Sequence, residues 1–371
     1  MLVENWETEP NILGAMNSAA LSSLRFFAAL FVVLFHNIQM SDTLKAAPKI
    51  FTAGPQMVTF FFVLSGFVLV LAYCPDKMPS LKTYAVKRLT RILPAYFIAL
   101  ALSVALLLYF SKGFSPVAFV LNLLLLQSWF PSYPLSINGP GWFLSDLVFF
   151  YAVFPVVLMY LKKAQPSPIK FIILCLFLWL CTQIVLTILL NTTFYKGSPS
   201  RSHALIFYFP LSHLCSFVLG MAGAYFFITQ ANPLKLSTAK SIVIMLFLLC
   251  LIVLLIENQL TIRKLLGIRL PFYSSFYAPL FLLLVGCFCV SDNFITSILS
   301  IKPLIILGES SFSVYILQKP VRIILHSILE PMSIPYDIFL LIYIVLLTAL
   351  GILLLYTVDR PIRFYVKSKF D

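Results

Sequence analysis

The sequence predicts an all-α polytopic membrane protein. It has about ten transmembrane helices, one short re-entrant or tilted segment, and both termini cytoplasmic. Three observations carry this reading. Of 371 residues, 61% are hydrophobic and only 11% charged, whereas a soluble domain is about half apolar and about a quarter charged. The apolar residues gather into segments near the ~20 residues that a spanning helix needs. The basic residues that give a net charge of +13 are spread through the short connections between those segments, where they set orientation and do not signal nucleic-acid binding.

Taken in order, apolar spans run at 23–40, 57–74, 92–110, 142–161, 171–190, 205–229, 241–256, 272–290, 303–329 and 338–358. A further apolar stretch at 116–129, with Pro116 at its start and Pro131 just beyond it, has about 15 residues and is short for a crossing. If it does not cross and the N-terminus is inside, 16 of the 26 Lys and Arg face the cytoplasm and eight face out. If it crosses, the split becomes 11 to 13. The positive-inside rule favours the first arrangement. The chain then reads as one integral-membrane domain over 18–366, with a cytoplasmic tail at 1–17 and a short C-terminal tail at 367–371. Residues 1–10 are acidic and lack the basic n-region of a cleavable signal peptide. Seven cysteines without metal-ligand spacing read as small buried hydrophobes, and no metal site is expected. No internal repeat of the kind many transporters carry is visible.

Several segments carry ionisable groups where the membrane makes them expensive. In the first span, Arg25 and His36 are eleven residues apart. That spacing returns them to within about 20° of one face and separates them by roughly 16 Å along the axis. Ionisable groups at such depth face a polar cavity by default; the alternative is a cytoplasmic anchor and an interfacial histidine. In the second span, Ser65 and Gly66 are small residues that let another helix approach closely. The loop that follows carries Lys87, Arg88 and Arg91. The two arginines, three residues apart, share a helix face and suit a phosphorylated ligand, since each guanidinium grips phosphate oxygens bidentately. Anchoring the cytoplasmic side and binding anionic lipid is the plainer reading. Trp142 follows an Asn-Gly-Pro-Gly turn and is placed for an interfacial belt. Asp146, one turn further on, either lines a cavity or pairs with a lysine near the membrane surface. His203 and His213 bracket the start of the span at 205–229 and read as interfacial or hydrogen-bonded. In the span at 303–329, Gln318 and Arg322 share a face, and Lys319 and Arg322 are costly unless they line a cavity.

Together these segments resemble the integral-membrane acyltransferase-3 superfamily, the O-acyltransferases of bacterial surface glycans. The resemblance rests on Arg25 to His36, the FFVLSGF run ending at Phe67, and Arg88-x-x-Arg91 leading to Tyr96. It continues with Trp142 to Pro155, Leu307 to Pro320, and Asp359-Arg360-Pro361, all in the family's order. It implies acyl-CoA, most simply acetyl-CoA, as co-substrate with no permanently bound cofactor. The acceptor would be a hydroxyl of a surface polysaccharide or lipid-linked glycan such as O-antigen, and the location the bacterial inner membrane. The family's essential His and Arg map onto His36 and Arg25, and its paired arginines onto Arg88 and Arg91. Phe143 and Leu147 stand where many members have Ser and Glu, Thr59 where an acid is common, and Gln318 where His is frequent.

Acyl transfer from a thioester to an alcohol requires a base, and neutral imidazole is the natural one near neutral pH. His36 is therefore expected as general base. Arg25 is expected in the catalytic site with it, meeting the donor's pantetheine or pyrophosphate end. Arg88, Arg91 and Lys87 are expected to hold the donor's phosphates, while Asp146, Trp142, Ser65, Gln318 and Arg322 are candidates to line the substrate cavity. A glycolipid or polysaccharide transporter or flippase is the competing reading, with Arg25 and His36 on a proton or substrate path.

Overall fold

The computed structural model describes residues 18–74, 78–230 and 236–370. The expected tail at 1–17 and the loop lysines Lys77 and Lys235 lie outside the described residues. Each of the ten apolar segments is carried by a helix: α1 (Ser18–Phe35), α3 (Gly54–Tyr73), α4 (Leu81–Tyr109), α6 (Trp142–Ala164), α7 (Pro168–Asn191), α9 (Pro210–Ile228), α10 (Thr238–Glu257), α12 (Ala278–Val290), α14 (Lys302–Leu329) and α15 (Tyr336–Leu354). Shorter helices fill the connections: α2 (Asp42–Ala46), α5 (Pro116–Leu123), α8 (Arg201–Phe207), α11 (Gln259–Leu266) and α13 (Phe294–Leu299). A π-helical turn at Leu355–Asp359 leads into the last, α16 (Arg360–Phe370). No strand occurs among the described residues. Seven helical stretches are long and apolar enough to cross a membrane, and the chain is a multi-pass membrane protein. The other three of the ten miss that standard for visible reasons. α1 and α12 are short, and α14 carries Lys302, Glu309, Lys319 and Arg322.

The short stretch at 116–129 forms only the eight-residue α5 followed by loop. That helix is about 12 Å long, well under the ~30 Å of a bilayer core. It is tied down by polar contacts: the Tyr96 hydroxyl donates to the Asn122 carbonyl at 2.6 Å, and Gln127 Nε2 donates to the Gly141 carbonyl at 2.8 Å.

Several boundaries differ from the sequence reading. α4 begins at Leu81 rather than near Ile92, so Lys87, Arg88 and Arg91 lie on helix and not in a loop. The span read at 205–229 is broken between α8 and α9, which starts at Pro210. The first span ends at Phe35 rather than near Met40. Helix termini leave carbonyls unpaired, and here His36 Nδ1 and Asn37 Nδ2 fold back onto the carbonyls of Val32 (3.0 Å) and Val33 (2.6 Å). α12 begins at Ala278 rather than near Phe272 because the preceding backbone turns, with Ser275 at φ 62°. Irregular backbone at membrane depth requires partners within the protein. The Ser275 carbonyl accepts from Trp179 Nε1 at 2.8 Å, and its N–H donates to Thr59 Oγ1 at 3.3 Å. The cysteines are free; four are buried as expected, but Cys250 is exposed on α10 and Cys74 and Cys181 are partly so.

The helices that matter to the site are α1, packed between α3 and α14, with α15 and α4 against α14. Small residues permit the closest approaches, as in other membrane helix pairs. A Cβ on Gly66 would be driven into the Phe217 carbonyl, one on Gly220 into the Val63 carbonyl, and one on Gly308 into the Ser22 carbonyl. Gly66 and Gly220 thus set the α3–α9 distance, and Gly308 sets α1 against α14. Because backbone cannot yield as a side-chain tip can, Gly66→Ala should destabilise the folded protein by about 1–3 kcal/mol. Thermal unfolding in detergent should show a lowered Tm; an unchanged Tm would contradict this packing.

Candidate active site

Four arginines converge on one narrow cavity of about 90 Å³ between α1, α3, α4, α6, α14 and α16. Arg25 comes from α1, Arg88 and Arg91 from successive turns of α4, and Arg363 from α16. Arg91 feels the positive charge of the other three. Arg88 is steadied by Tyr73, whose hydroxyl accepts from Nη2 at 2.6 Å and whose ring lies 4.8 Å from the guanidinium. Among the described residues, no side chain hydrogen-bonds or ion-pairs with Arg25 or Arg91. Glu309 is the one carboxylate among the lining residues, and it is already engaged by Arg360 at 2.9 Å. An unbalanced cluster of cations at a membrane protein's interior wall is costly unless an anion joins it. The arrangement has the charge to receive a polyanion.

Arg363 is the member that sequence reasoning missed, because the closing segment reads as a basic tail. The Asp359-Arg360-Pro361 motif is what aims it. Asp359 is buried, accepts from Ser313 at 3.4 Å and lies 4.0 Å from Arg363. Arg360 pairs with Glu309 of α14, so α16 is pinned with Arg363 turned inward.

The second cavity, about 540 Å³, holds His36 together with Trp142, His203, Gln318, Lys319 and Arg322. The imidazole is set by two acceptors on one nitrogen: Nδ1 lies 3.0 Å from the Val32 carbonyl and 2.9 Å from Gln318 Oε1. Gln318 presents its oxygen because its own Nε2 donates to the Tyr315 carbonyl at 2.7 Å. Two acceptors around Nδ1 require the proton there. The lone pair is therefore on Nε2, for which the described residues offer no hydrogen bond. The end of α1 is held from the far side as well, with Arg322 Nη1 donating to the His36 carbonyl at 2.8 Å and Tyr336 to Asn37 Oδ1 at 2.6 Å.

Arg25 and His36 thus share a face, as their spacing predicts, yet they open into different cavities. The dividing wall is aromatic. Tyr315 lines both cavities, and its ring centroid lies 6.2 Å from Phe61 and 5.2 Å from Phe143.

The remaining expectations sort cleanly. Ser65 joins Arg25, Arg88 and Arg91 at the arginine cavity, and Gln318, Arg322 and Trp142 join His36. Lys87 lines neither cavity. Asp146 lines neither as well: it is fully buried, without the expected lysine partner, because its helix position points into packing while Phe143 and Leu147 point at the arginines. Trp142 is 9% exposed and packs on His213 and Tyr208 at 5.3 and 5.1 Å, so it is a cavity wall rather than an interfacial anchor. His203 reaches the His36 cavity with its Nδ1 3.1 Å from the Tyr195 hydroxyl; His213 is buried and donates to the Phe207 carbonyl. No group of metal-ligating residues occurs among the described residues.

A helical membrane protein with a cation-lined cavity backed against a histidine-lined one is the class these features define. The profile of the family described as an acyltransferase domain matches residues 18–359, and the chain belongs to this acyltransferase-3 family. It is similar to the protein named putative peptidoglycan O-acetyltransferase YrhL of Bacillus subtilis, with 24% identity over 92% of this chain and 54% of that one. It is also similar to O-acetyltransferase OatA of Staphylococcus aureus, 24% identical over 92% of this chain and 57% of that one. A shorter match, 31% identical over 39% of this chain and 40% of the other, is to acyltransferase MdmB of Streptomyces mycarofaciens. The chain spans just over half the length of YrhL and OatA. No solved structure matches it.

The tautomer is directly measurable. With 15N-labelled histidine, His36 should appear in the neutral Nδ1–H form. Gln318→Leu, which leaves only the Val32 carbonyl as acceptor, should let the Nε2–H form appear, and Gln318→His should suppress it again. An Nε2–H imidazole in the unmodified protein would contradict the geometry.

Proposed function

We propose that the chain is a membrane O-acyltransferase that moves an acyl group, most simply acetyl, from acyl-CoA to a hydroxyl of a bacterial cell-surface glycan or its lipid-linked precursor. The observation that carries this reading is the shared Tyr315 wall between a four-arginine cavity and a cavity holding a base-competent histidine. A donor with phosphates at one end and a thioester at the other, joined by a long thin arm, matches that arrangement. The arginine cavity takes the phosphates by charge-assisted, bidentate hydrogen bonds. The thioester then arrives at the His36 side, about 16 Å along α1 from Arg25.

At that point the chemistry needs little more. Nε2 of His36 takes the proton from the acceptor hydroxyl as its oxygen attacks the thioester carbonyl. The C–O bond forms and the C–S bond breaks. The departing thiolate takes the proton from the imidazolium, which Gln318 has kept oriented through Nδ1–H. Transfer is direct, with no acyl-enzyme: among the described residues Ser198 is the one serine lining the His36 cavity and has no basic partner, and no cysteine lines it.

Ten crossings with both termini on the cytoplasmic side of the bacterial inner membrane suit this chemistry. The basic α4 and α16 ends then lie where CoA is made, and the His36 cavity lies toward the opposite face. The names of YrhL and OatA point toward a peptidoglycan-type acceptor at least as readily as toward O-antigen.

Protein in nanodiscs with labelled acetyl-CoA tests the assignment of roles. His36→Ala should lower transfer by more than about 100-fold while CoA still binds. Arg91→Ala should weaken CoA binding by about tenfold or more, the scale of one lost hydrogen bond to a charged group. If His36→Ala instead abolished CoA binding and Arg91→Ala left it untouched, the assignment would be overturned.

A further inference from the structure

The His36 cavity carries more positive charge than acyl transfer itself uses. Lys319 and Arg322 lie on adjacent turns of α14, and both line it. Their hydrogen bonds are to neutral oxygens: Lys319 Nζ donates to the Ile137 carbonyl at 2.6 Å, Arg322 Nη1 to the His36 carbonyl at 2.8 Å, and Arg322 also to the Tyr336 hydroxyl. No aspartate or glutamate lines the cavity, and neither cation has an ion pair among the described residues. Lys112, in the connection between α4 and α5, adds to the positive field felt by Lys319. Backbone carbonyls satisfy individual N–H groups but do not neutralise charge, and a pair of cations in a cavity with apolar walls attracts an anion strongly.

The other walls of this cavity include the rings of Trp142, Tyr208 and Tyr273. Aromatic faces beside a few placed polar groups are the usual make-up of a site for an organic ligand, and they suit the apolar face of a sugar ring. The donor's phosphates already have four arginines on the far side of Tyr315. The second cationic pair is therefore left for the other substrate.

We propose that Lys319 and Arg322 form an oxyanion-binding subsite for the acceptor: the glycan acylated here carries a carboxylate or a phosphate close to the reacting hydroxyl. This inference rests on the acyl-transfer reading above. The anion docks against α14 at Lys319 and Arg322, the sugar lies along the aromatic wall, and the hydroxyl is presented to Nε2 of His36. Position and charge are thus read by Lys319, next to the Gln318 that orients the base, and by Arg322, one turn further on.

Acetyl transfer to three oligosaccharides of one backbone tests this, one neutral, one bearing uronic carboxylates and one bearing phosphomonoesters. CoA release without acceptor is followed in parallel. At least one anionic acceptor should exceed the neutral one in kcat/KM by about tenfold or more, the scale of a charge-assisted contact, and the ratio should fall as salt is raised. Whichever anion is preferred identifies the acceptor's charged group. Lys319→Gln should shrink the ratio toward one, and Lys319→Glu should shift preference to a partly de-N-acetylated, cationic form of the backbone. Because each ratio is taken within one variant, a general loss of activity does not imitate the result, and the salt dependence of the unmodified protein stands without any variant.

Equal use of neutral and anionic acceptors would overturn the subsite while leaving acyl transfer intact. So would variants that raise the KM for acetyl-CoA but leave the acceptor ratio unchanged. Failure to release CoA under any condition would remove the acyl-transfer reading itself, and the subsite with it.

Discussion

Like charges repel, and in a membrane interior they do so with little water to screen them. Arg25, Arg88, Arg91 and Arg363 nevertheless meet at one cavity, brought there by three helices that are far apart in the chain. Contacts from several helices hold them there against that repulsion. Tyr73 steadies Arg88. Asp359 and the Arg360–Glu309 pair fasten α16 against α14. Gly308 lets α1 come close enough to α14 to deliver Arg25. Four cations assembled at this expense suit an anionic ligand.

The histidine side is organised by a different rule, that of helix ends. α1 stops where His36 and Asn37 turn back to satisfy its terminal carbonyls, and α14 supplies both Gln318 for the ring and Arg322 for the backbone. The same helix thus sets the tautomer of His36, places two cations beside it and, through Tyr315, forms the wall shared with the arginine cavity. The breaks in ideal membrane character along α14 are concentrated at these cavities, which explains why it is too charged to register as a simple spanning helix.

Much of this was legible in the sequence. Helical periodicity alone puts Arg25 with His36, Arg88 with Arg91, and Gln318 with Arg322 on shared faces, because those relations lie within one helix. What periodicity cannot supply is which face meets which neighbour. Arg363 reads as a tail residue until Asp359 and Arg360 are seen to anchor its helix. Lys87 is adjacent to Arg88 in sequence but about 100° away around α4, and it lines neither cavity. Asp146 looks like a candidate acid near the membrane surface, yet it is packed out of both cavities, while Phe143 and Leu147 take the places facing the arginines. In sequence the first span runs on past Phe35, because Asn37 to Met40 is no more polar than many helix ends; the side-chain contacts of His36 and Asn37 mark the end at Phe35.

The proposed function requires one extended donor to reach from the arginine cavity past Tyr315 to His36. An acetyl-CoA analogue with a photoreactive group in place of the acetyl methyl reads this out directly, by mass spectrometry of the labelled peptides. The account predicts labelling of the His36 side, at the end of α1, the start of α6 around Trp142 and the Gln318 turn of α14, with competition by unlabelled CoA. Labelling confined to the Arg88 and Arg363 side, with none beyond Tyr315, would contradict it.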